Sequence, residues 1–230
     1  MNTSTLRKDV LRRFRHHGFI ERLQYQLRKS PTLVLEAVGL TINVKSDDVM
    51  LDCGANVGDI SSKLARTGAT VYAFEPNPLC FGVITKRFAL MPNVHCLHNG
   101  VMNCDCVLTL STPEPHAGFD SLDTTVAASF NGEALQSPDY AVKVDQIQCL
   151  DIDAFVRKLG KRVRLMKVDI EGAEIEVLNR LMDTGAIDLI DHVIVETHEV
   201  QMPHLVAPTR ALRARIASLG LTDKICLDWY

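Results

Sequence analysis

Leu51–Ser61, LDCGANVGDIS, compresses into one short stretch an apolar run, a glycine at 54, a second glycine at 58 and the start of a helical pattern. A strand that enters a helix through such a turn forms the mouth of a ligand cleft, because the missing side chains at Gly54 and Gly58 permit a tight bend and close backbone approach. The dinucleotide fingerprint requires glycines at 54, 56 and 59, where this chain has Gly54, Asn56 and Asp59. A phosphate loop requires a lysine directly after its last glycine, and Asp59 follows Gly58. Both nucleotide readings lose ground.

The pattern outward from this turn alternates between strands and helices. Apolar runs at 49–56, 70–76 (TVYAFEP), 93–101 (NVHCLHNGV), 164–170 (RLMKVDI) and 192–199 (HVIVETHE) are separated by helical spacing in ISSKLART, LCFGVITKRFAL, AEIEVLNRLMDT and TRALRARIASLG, and a last strand is expected near KICLDWY. This order predicts an α/β fold, a mostly parallel sheet covered by helices on both faces. Ligands of such sheets sit at the carboxyl ends of the strands, here Asp52–Gly58, Glu75, Asn99–Val101, Asp169–Glu174 and Glu196–His198. Between Val107 and Val144 the pattern weakens among prolines and glycines, which suggests a hairpin with a substrate loop.

Asp52, directly before the glycines, would repel a pyrophosphate but suits a cationic ligand such as the amino group and sulfonium of S-adenosylmethionine. Glu75 ends the second strand, where a carboxylate can accept hydrogen bonds from both hydroxyls of a ribose. Asp52, Gly54, Gly58 and Glu75 together therefore point to that cofactor.

LDCGANVGDIS, VYAFEPNP, LMKVDIEGAEIEVL and VIVETHE together resemble the FkbM family of S-adenosylmethionine-dependent methyltransferases over about Met50–Gly220. The resemblance implies a class I methyltransferase fold, Rossmann-like, and methyl transfer to a hydroxyl of a sugar, glycan or secondary metabolite. It also implies that Asp52, Gly54 and Asn56 line the methionine portion of the cofactor, Glu75 the ribose and Asn99 the region near adenine. The family's sheet ends in a two-stranded hairpin, whereas the sequence through KICLDWY to Tyr230 offers one strand. Either an earlier segment substitutes or the C-terminal sheet edge is altered.

LMKVDIEGAEIEVL, residues 165–178, gathers Asp169, Glu171 and Glu174 around Gly172. Strand alternation sets Lys167 and Asp169 on one face and brings Asp169 to the open end, to hold the cofactor's amino group, orient the acceptor or both. Gly172 bends the chain into a helix and leaves Glu171 free to face the cleft. Glu174 falls in the first helical turn, where the helix dipole favours a carboxylate whatever its function. In ETHE, Glu196 and His198 share a face; His198 can accept an alcohol proton, with Glu196 orienting it or taking the proton itself. The catalytic candidates are thus Asp169, His198, Glu196, Glu171 and Lys167. The alternative is a divalent cation on Asp169, Glu171 and Glu196, against which Lys167 argues. His95, Cys96, His98, Cys104 and Cys106 fit no zinc spacing, and alternation divides His95 from Cys96.

The 230 residues, 47% hydrophobic and 23% charged, suffice for one globular domain with an extension. Residues 1–47 read as a basic amphipathic helical arm packed on a methyltransferase domain at 48–230, with helical spacing from Leu6 to Leu27. The net charge of -3 gives no global pull toward nucleic acid, and a small-molecule or glycan acceptor is what the resemblance implies. A noncatalytic methyltransferase-fold module whose arm recruits a partner is the competing class, and an RNA methyltransferase a further one, although the aromatic and proline tetrad of base methylation is missing. No run of eighteen apolar residues and no secretory signal occurs, which predicts a cytoplasmic protein. Seven scattered cysteines do not form a disulfide framework and predict reduced thiols.

Overall fold

The computed structural model describes residues 30–113 and 142–229. The chain opens with β1 (Thr32–Leu35) and β2 (Leu40–Asn43), an antiparallel hairpin, followed by β3 (Val49–Cys53), helix α1 (Asp59–Ala65), β4 (Thr70–Phe74), α2 (Pro78–Arg87) and β5 (Val94–Leu97). Next come β6 (Gly100–Met102), β7 (Cys106–Pro113), β8 (Val142–Asp151), α3 (Ile152–Lys158), β9 (Val163–Val168), α4 (Glu174–Asp183), β10 (Ile190–Val195), α5 (Val206–Ser218) and β11 (Ile225–Cys226).

Six strands form a sheet in the order β11-β10-β9-β3-β4-β5, with every neighbouring pair parallel. From β3 the chain moves outward to β4 and β5, then crosses back to β9 and continues the other way. The crevice at this reversal, between β3 and β9, is where an open parallel sheet accepts a ligand.

Alternation along the strands divides the core into two layers. Leu51, Cys53, Phe74, Met166, Val168, Val193 and Val195 pack with Ile152, Val156, Val177, Leu178, Leu181, Leu212 and Ile216 from α3, α4 and α5. On the other face Met50, Val71, Ala73, Leu165 and Ile194 pack with Leu64, Ile84 and Phe88, together with Leu33, Leu35 and Ile42 of the hairpin. Each of the larger side chains here, such as Leu165 and Met166 with no exposed surface, contributes on the order of 1.5–3 kcal/mol by leaving water.

Helix starts follow local chemistry. Asn77 caps α2 by accepting from the Leu79 N–H ahead of Pro78 in the first turn, and Asp151 caps α3 by accepting from the N–H groups of Asp153 and Ala154.

Two expectations change. The span from Leu6 to Leu27, expected as a helix, lies outside the described residues, and the remainder of the supposed arm contains the hairpin instead. There Leu33 and Leu35 alternate inward with period two, and Gly39 takes the left-handed conformation (φ 62°) that reverses the chain. NVHCLHNGV is two strands rather than one: β5 ends at Leu97, and β6 joins a separate sheet of order β6-β8-β7. The altered C-terminal edge is the two-residue β11, parallel to β10, and beyond it the Trp229 N–H bonds to Val195 O at 3.2 Å. The expected hairpin between Val107 and Val144 is the antiparallel pair β7–β8, and the residues between these strands lie outside the described set.

All seven cysteines are free thiols. No described helix is long and apolar enough to cross a membrane.

Candidate active site

The carboxyl ends of β3, β4 and β9 enclose an open cleft of about 580 Å³ lined in part by Gly54, Asn56, Glu75, Asn99, Asp169 and Glu171. The apolar part of its wall comes from Val101, Leu110 and Ile170.

Its floor is drawn tight by backbone chemistry. The N–H groups of Gly54 and Ala55 both donate to Phe74 O, at 3.0 and 2.8 Å, which stitches the turn after β3 to the end of β4. Gly54 has φ 82°, and a Cβ built there would lie 1.7 Å from the backbone oxygen of Asp169. The two sides of the reversal therefore approach as closely as only glycine permits. Gly58, with φ 86°, lies behind the cleft: its missing Cβ makes room for the Phe88 ring, 2.7 Å from where that atom would be.

Glu75 is buried and holds the wall by both oxygens. One accepts from the Asn56 N–H at 2.6 Å, the other from the Asn77 N–H at 2.7 Å. Burial raises its carboxyl pKa to about 7 despite those two hydrogen bonds. The second lone pair on each oxygen stays available for a diol. Asn99 lines the cleft while its side-chain amide donates to Gln148 O at 3.2 Å.

Asp52 and Lys167 do not line the cleft, contrary to the roles expected of them. They are register partners in the middle of the sheet, with Asp52 fully buried. The Asp52 carboxylate accepts from the Ser61 hydroxyl at 2.6 Å and faces the Lys167 ammonium at 3.5 Å. Lys167 donates to Gly54 O at 2.6 Å and pairs with Asp169 Oδ2 at 3.1 Å. Burial works against the ammonium, but Asp52 and then Asp169 outweigh it, and the lysine pKa is raised. Lys167 is thus a charged clamp beneath the glycine turn, and Asp52 is its counter-ion, one layer away from the cleft.

Asp169, Glu171, Glu196 and His198 converge as the sequence suggests. Glu171 occupies left-handed backbone (φ 55°), and Asn56 (φ 49°) is the other non-glycine residue to do so among the described residues. Both line the cleft. Such conformations cost about 1–3 kcal/mol each and gather where surrounding structure holds a site in place.

The orienting partner of His198 is Glu174, not Glu196. Glu174 is 1% exposed, and its Oε1 lies 2.8 Å from His198 Nδ1. The same oxygen accepts from the N–H groups of Ile170 and Gly172, at 3.1 and 3.2 Å. A residue that reads as an ordinary helix start therefore fixes the acidic loop and the imidazole together. The available signal was the Gly172-x-Glu174 spacing behind the turn, which lets a first-turn carboxylate reach back to preceding N–H groups.

His198 Nε2 looks toward Asp169 Oδ1 and Glu171 Oε2, each at 3.6 Å. Burial disfavours the imidazolium, yet the Glu174 carboxylate 2.8 Å from Nδ1, followed by Glu171 and Asp169, raises the pKa to about 9. Glu171 is itself raised to about 7, first by burial, with the His198 charge opposing. Glu196 is also raised, by burial and then by Asp169. The zinc alternative has no geometric support: His95 stacks on Tyr72 and His98 on Phe81, each ring occupied by a different partner.

The comparisons agree with this architecture. Residues 52–220 match the model of the methyltransferase FkbM domain. The chain is 31% identical over 180 residues to the methyltransferase SdnD of Sordaria araneosa, covering 68% of this chain and 69% of that protein. It is 33% identical to methyltransferase 1 of Beauveria bassiana, covering 65% and 64% of the two. It is 29% identical to the hexuronic acid methyltransferase AglP of Haloferax volcanii, where the match covers 67% of this chain and 57% of the relative. The chain thus spans under two thirds of the length of the last two. No solved structure matches it. A reversal-point cleft built from LDCGANVG, FEPN and KVDIEGAE, matched over residues 52–220, makes this chain a methyltransferase of the FkbM family.

Proposed function

We propose that the protein transfers the methyl group of S-adenosylmethionine to a hydroxyl oxygen of a small molecule or glycan. The observation that carries this reading is that one carboxylate, Asp169, belongs both to the cleft and to the cluster with Glu196 and His198. A donor site and an acceptor site that meet at one side chain suit transfer between two bound molecules.

The cleft's donor set fits this cofactor. Buried Glu75 offers two acceptor oxygens for a ribose diol, Asp169 and Glu171 offer negative charge to an amino group and sulfonium, and Val101, Leu110 and Ile170 offer apolar surface to a ring. When bound, the cofactor supplies an electrophilic methyl group. Asn99 and the backbone of Gly54 and Asn56 complete the wall on that side.

The chain's own contribution is alignment and charge. Lys167 fixes the Gly54 carbonyl and Asp169 relative to one another, and Glu174 fixes the loop 170–172 relative to His198. Holding the partners in line accounts for much of the acceleration such transfers show. The hydroxyl presents its oxygen beside Asp169, Glu171, Glu196 and His198, the groups that manage its proton. AglP is named for a hexuronic acid; in this chain the surplus of carboxylates on the acceptor side favours an uncharged hydroxyl compound over an anionic sugar.

Calorimetry with S-adenosylhomocysteine tests the cofactor half. We expect saturable binding that Glu75→Ala weakens at least tenfold. Absence of binding, or a Glu75→Ala variant that binds as well as the native chain, rejects the assignment. A labelled-methyl screen over neutral sugars, glycans and alcohols tests the acceptor half, with label on nitrogen or carbon counting against a hydroxyl.

A further inference from the structure

We infer that Asp169, Glu196 and His198 form a binding site for one divalent cation of the magnesium or manganese type, which presents the acceptor's oxygen to the cleft. This rests on the methyltransferase reading above and specifies how its acceptor side works. One ligand atom from each of the three residues lies within 4.8 Å of the others. Ligands around an octahedral ion at about 2.1 Å stand roughly 3–4 Å apart, so small side-chain rotations close the set.

Acidic residues in proximity do not by themselves make a metal site, and the second observation is the imidazole. His198 is 5% exposed, yet its Nε2 makes no hydrogen bond among the described residues; the facing oxygens of Asp169 and Glu171 stand off at 3.6 Å. The other nitrogen, Nδ1, lies 2.8 Å from Glu174 Oε1 but out of line for a hydrogen bond, so neither ring nitrogen makes one among the described residues; Glu174 is itself buried and anchored by two backbone N–H groups. A carboxylate behind Nδ1 is the usual way a protein fixes the tautomer of a ligating histidine, with the Nε2 lone pair turned to the ion.

Lys167, which argued against a cation from sequence, fits beside one. Its ammonium engages Asp169 Oδ2 at 3.1 Å, whereas Oδ1 is the oxygen directed at His198. One oxygen serves the clamp and the other serves the ion. Two carboxylates and one imidazole make a hard-to-borderline set that suits manganese better than magnesium, which prefers oxygen throughout, and three protein ligands leave positions open for acceptor hydroxyls and water. Glu171, the residue in left-handed backbone, stands beside the set without belonging to it.

The test is manganese binding to the full chain after chelator treatment, with free Mn2+ read by electron paramagnetic resonance and Mg2+ added as competitor. We expect about one displaceable Mn2+ per chain. Glu196→Gln and His198→Ala should each weaken it at least tenfold, and Glu174→Gln should weaken it through the imidazole. Glu196 is partly exposed and outside the cleft lining, so Glu196→Gln should keep native affinity for S-adenosylhomocysteine. No saturable Mn2+ binding, or binding that survives both ligand substitutions, overturns the site. Failure of the native chain to bind S-adenosylhomocysteine would instead count against the cofactor reading, and the two results are read from separate titrations.

Discussion

The two halves of the cleft are built on opposite plans. On the side of β3 and β4, backbone N–H groups hold the cleft wall: both oxygens of Glu75 accept from them, at 2.6 and 2.7 Å, and the glycine turn is stitched to Phe74. On the side of β9 and β10, ionisable side chains face one another at 3.6 Å in place of backbone N–H groups. The first half is finished as folded, and the second is arranged for something that arrives. That division suits the proposed reaction: a cofactor of constant shape can be met by fixed backbone, whereas an acceptor that loses a proton needs groups whose charge can change.

The sharpest way to break the finished half is Gly54→Ala. Its Cβ would lie 1.7 Å from a backbone oxygen at φ 82°, and neither obstacle is a flexible side chain. We expect a loss of more than about 4 kcal/mol, the range reserved for such clashes, seen as a chain that fails to fold or melts far below the native one. A well-folded variant with native cofactor affinity would show that the two strand ends separate easily.

Lys167→Met attacks the joint between the halves. Among the described residues it leaves Asp52 in the core with Ser61 as its remaining partner, and removing one member of a buried pair costs about 3–5 kcal/mol. Chemical denaturation should report that loss. The double variant Asp52→Leu/Lys167→Met should recover much of it, because the stranded charge is gone.

Away from the cleft, Asp191→Asn gives the baseline. Partial burial would raise the Asp191 carboxyl, but hydrogen bonds from Arg162 and Arg164 outweigh it, and its pKa is lowered. A depressed carboxylate contributes stability above its unfolded pKa and loses it as pH falls through the folded value. At neutral pH the substitution should cost at most about 1 kcal/mol, and the difference from native should shrink as pH drops below the ordinary aspartate range. An effect as large as that of Lys167→Met would mean that the surface pair is coupled to the core.

The sequence made the reversal-point cleft legible because its signals are local. A strand, a glycine turn and a helix start lie within LDCGANVGDIS, and Glu75 and Asp169 stand one residue beyond their strands. What it hid depends on partners far away in the chain. Asp52 adjoins the glycine turn in sequence, but β3 is buried on both faces, so alternation cannot say whether its side chain reaches a cleft or a lysine of β9. Glu174 looked like a first-turn acid because His198, its partner, comes from the next strand end. The hairpin at 32–43 was readable from the inward period of Leu33 and Leu35, but the long arginine-bearing helical pattern before it drew the reading toward a helix.

Asp169 also has a thermodynamic consequence. It faces the cleft, receives the lysine clamp on one oxygen and presents the other to His198. Whatever occupies one side changes the field that the other side feels, and linkage requires the effect to be mutual: the factor by which the acceptor side alters donor affinity equals the factor by which the donor alters acceptor affinity. In the proposed reaction a single shared carboxylate thus makes the two binding events one coupled equilibrium, whose coupling free energy is measurable from either side.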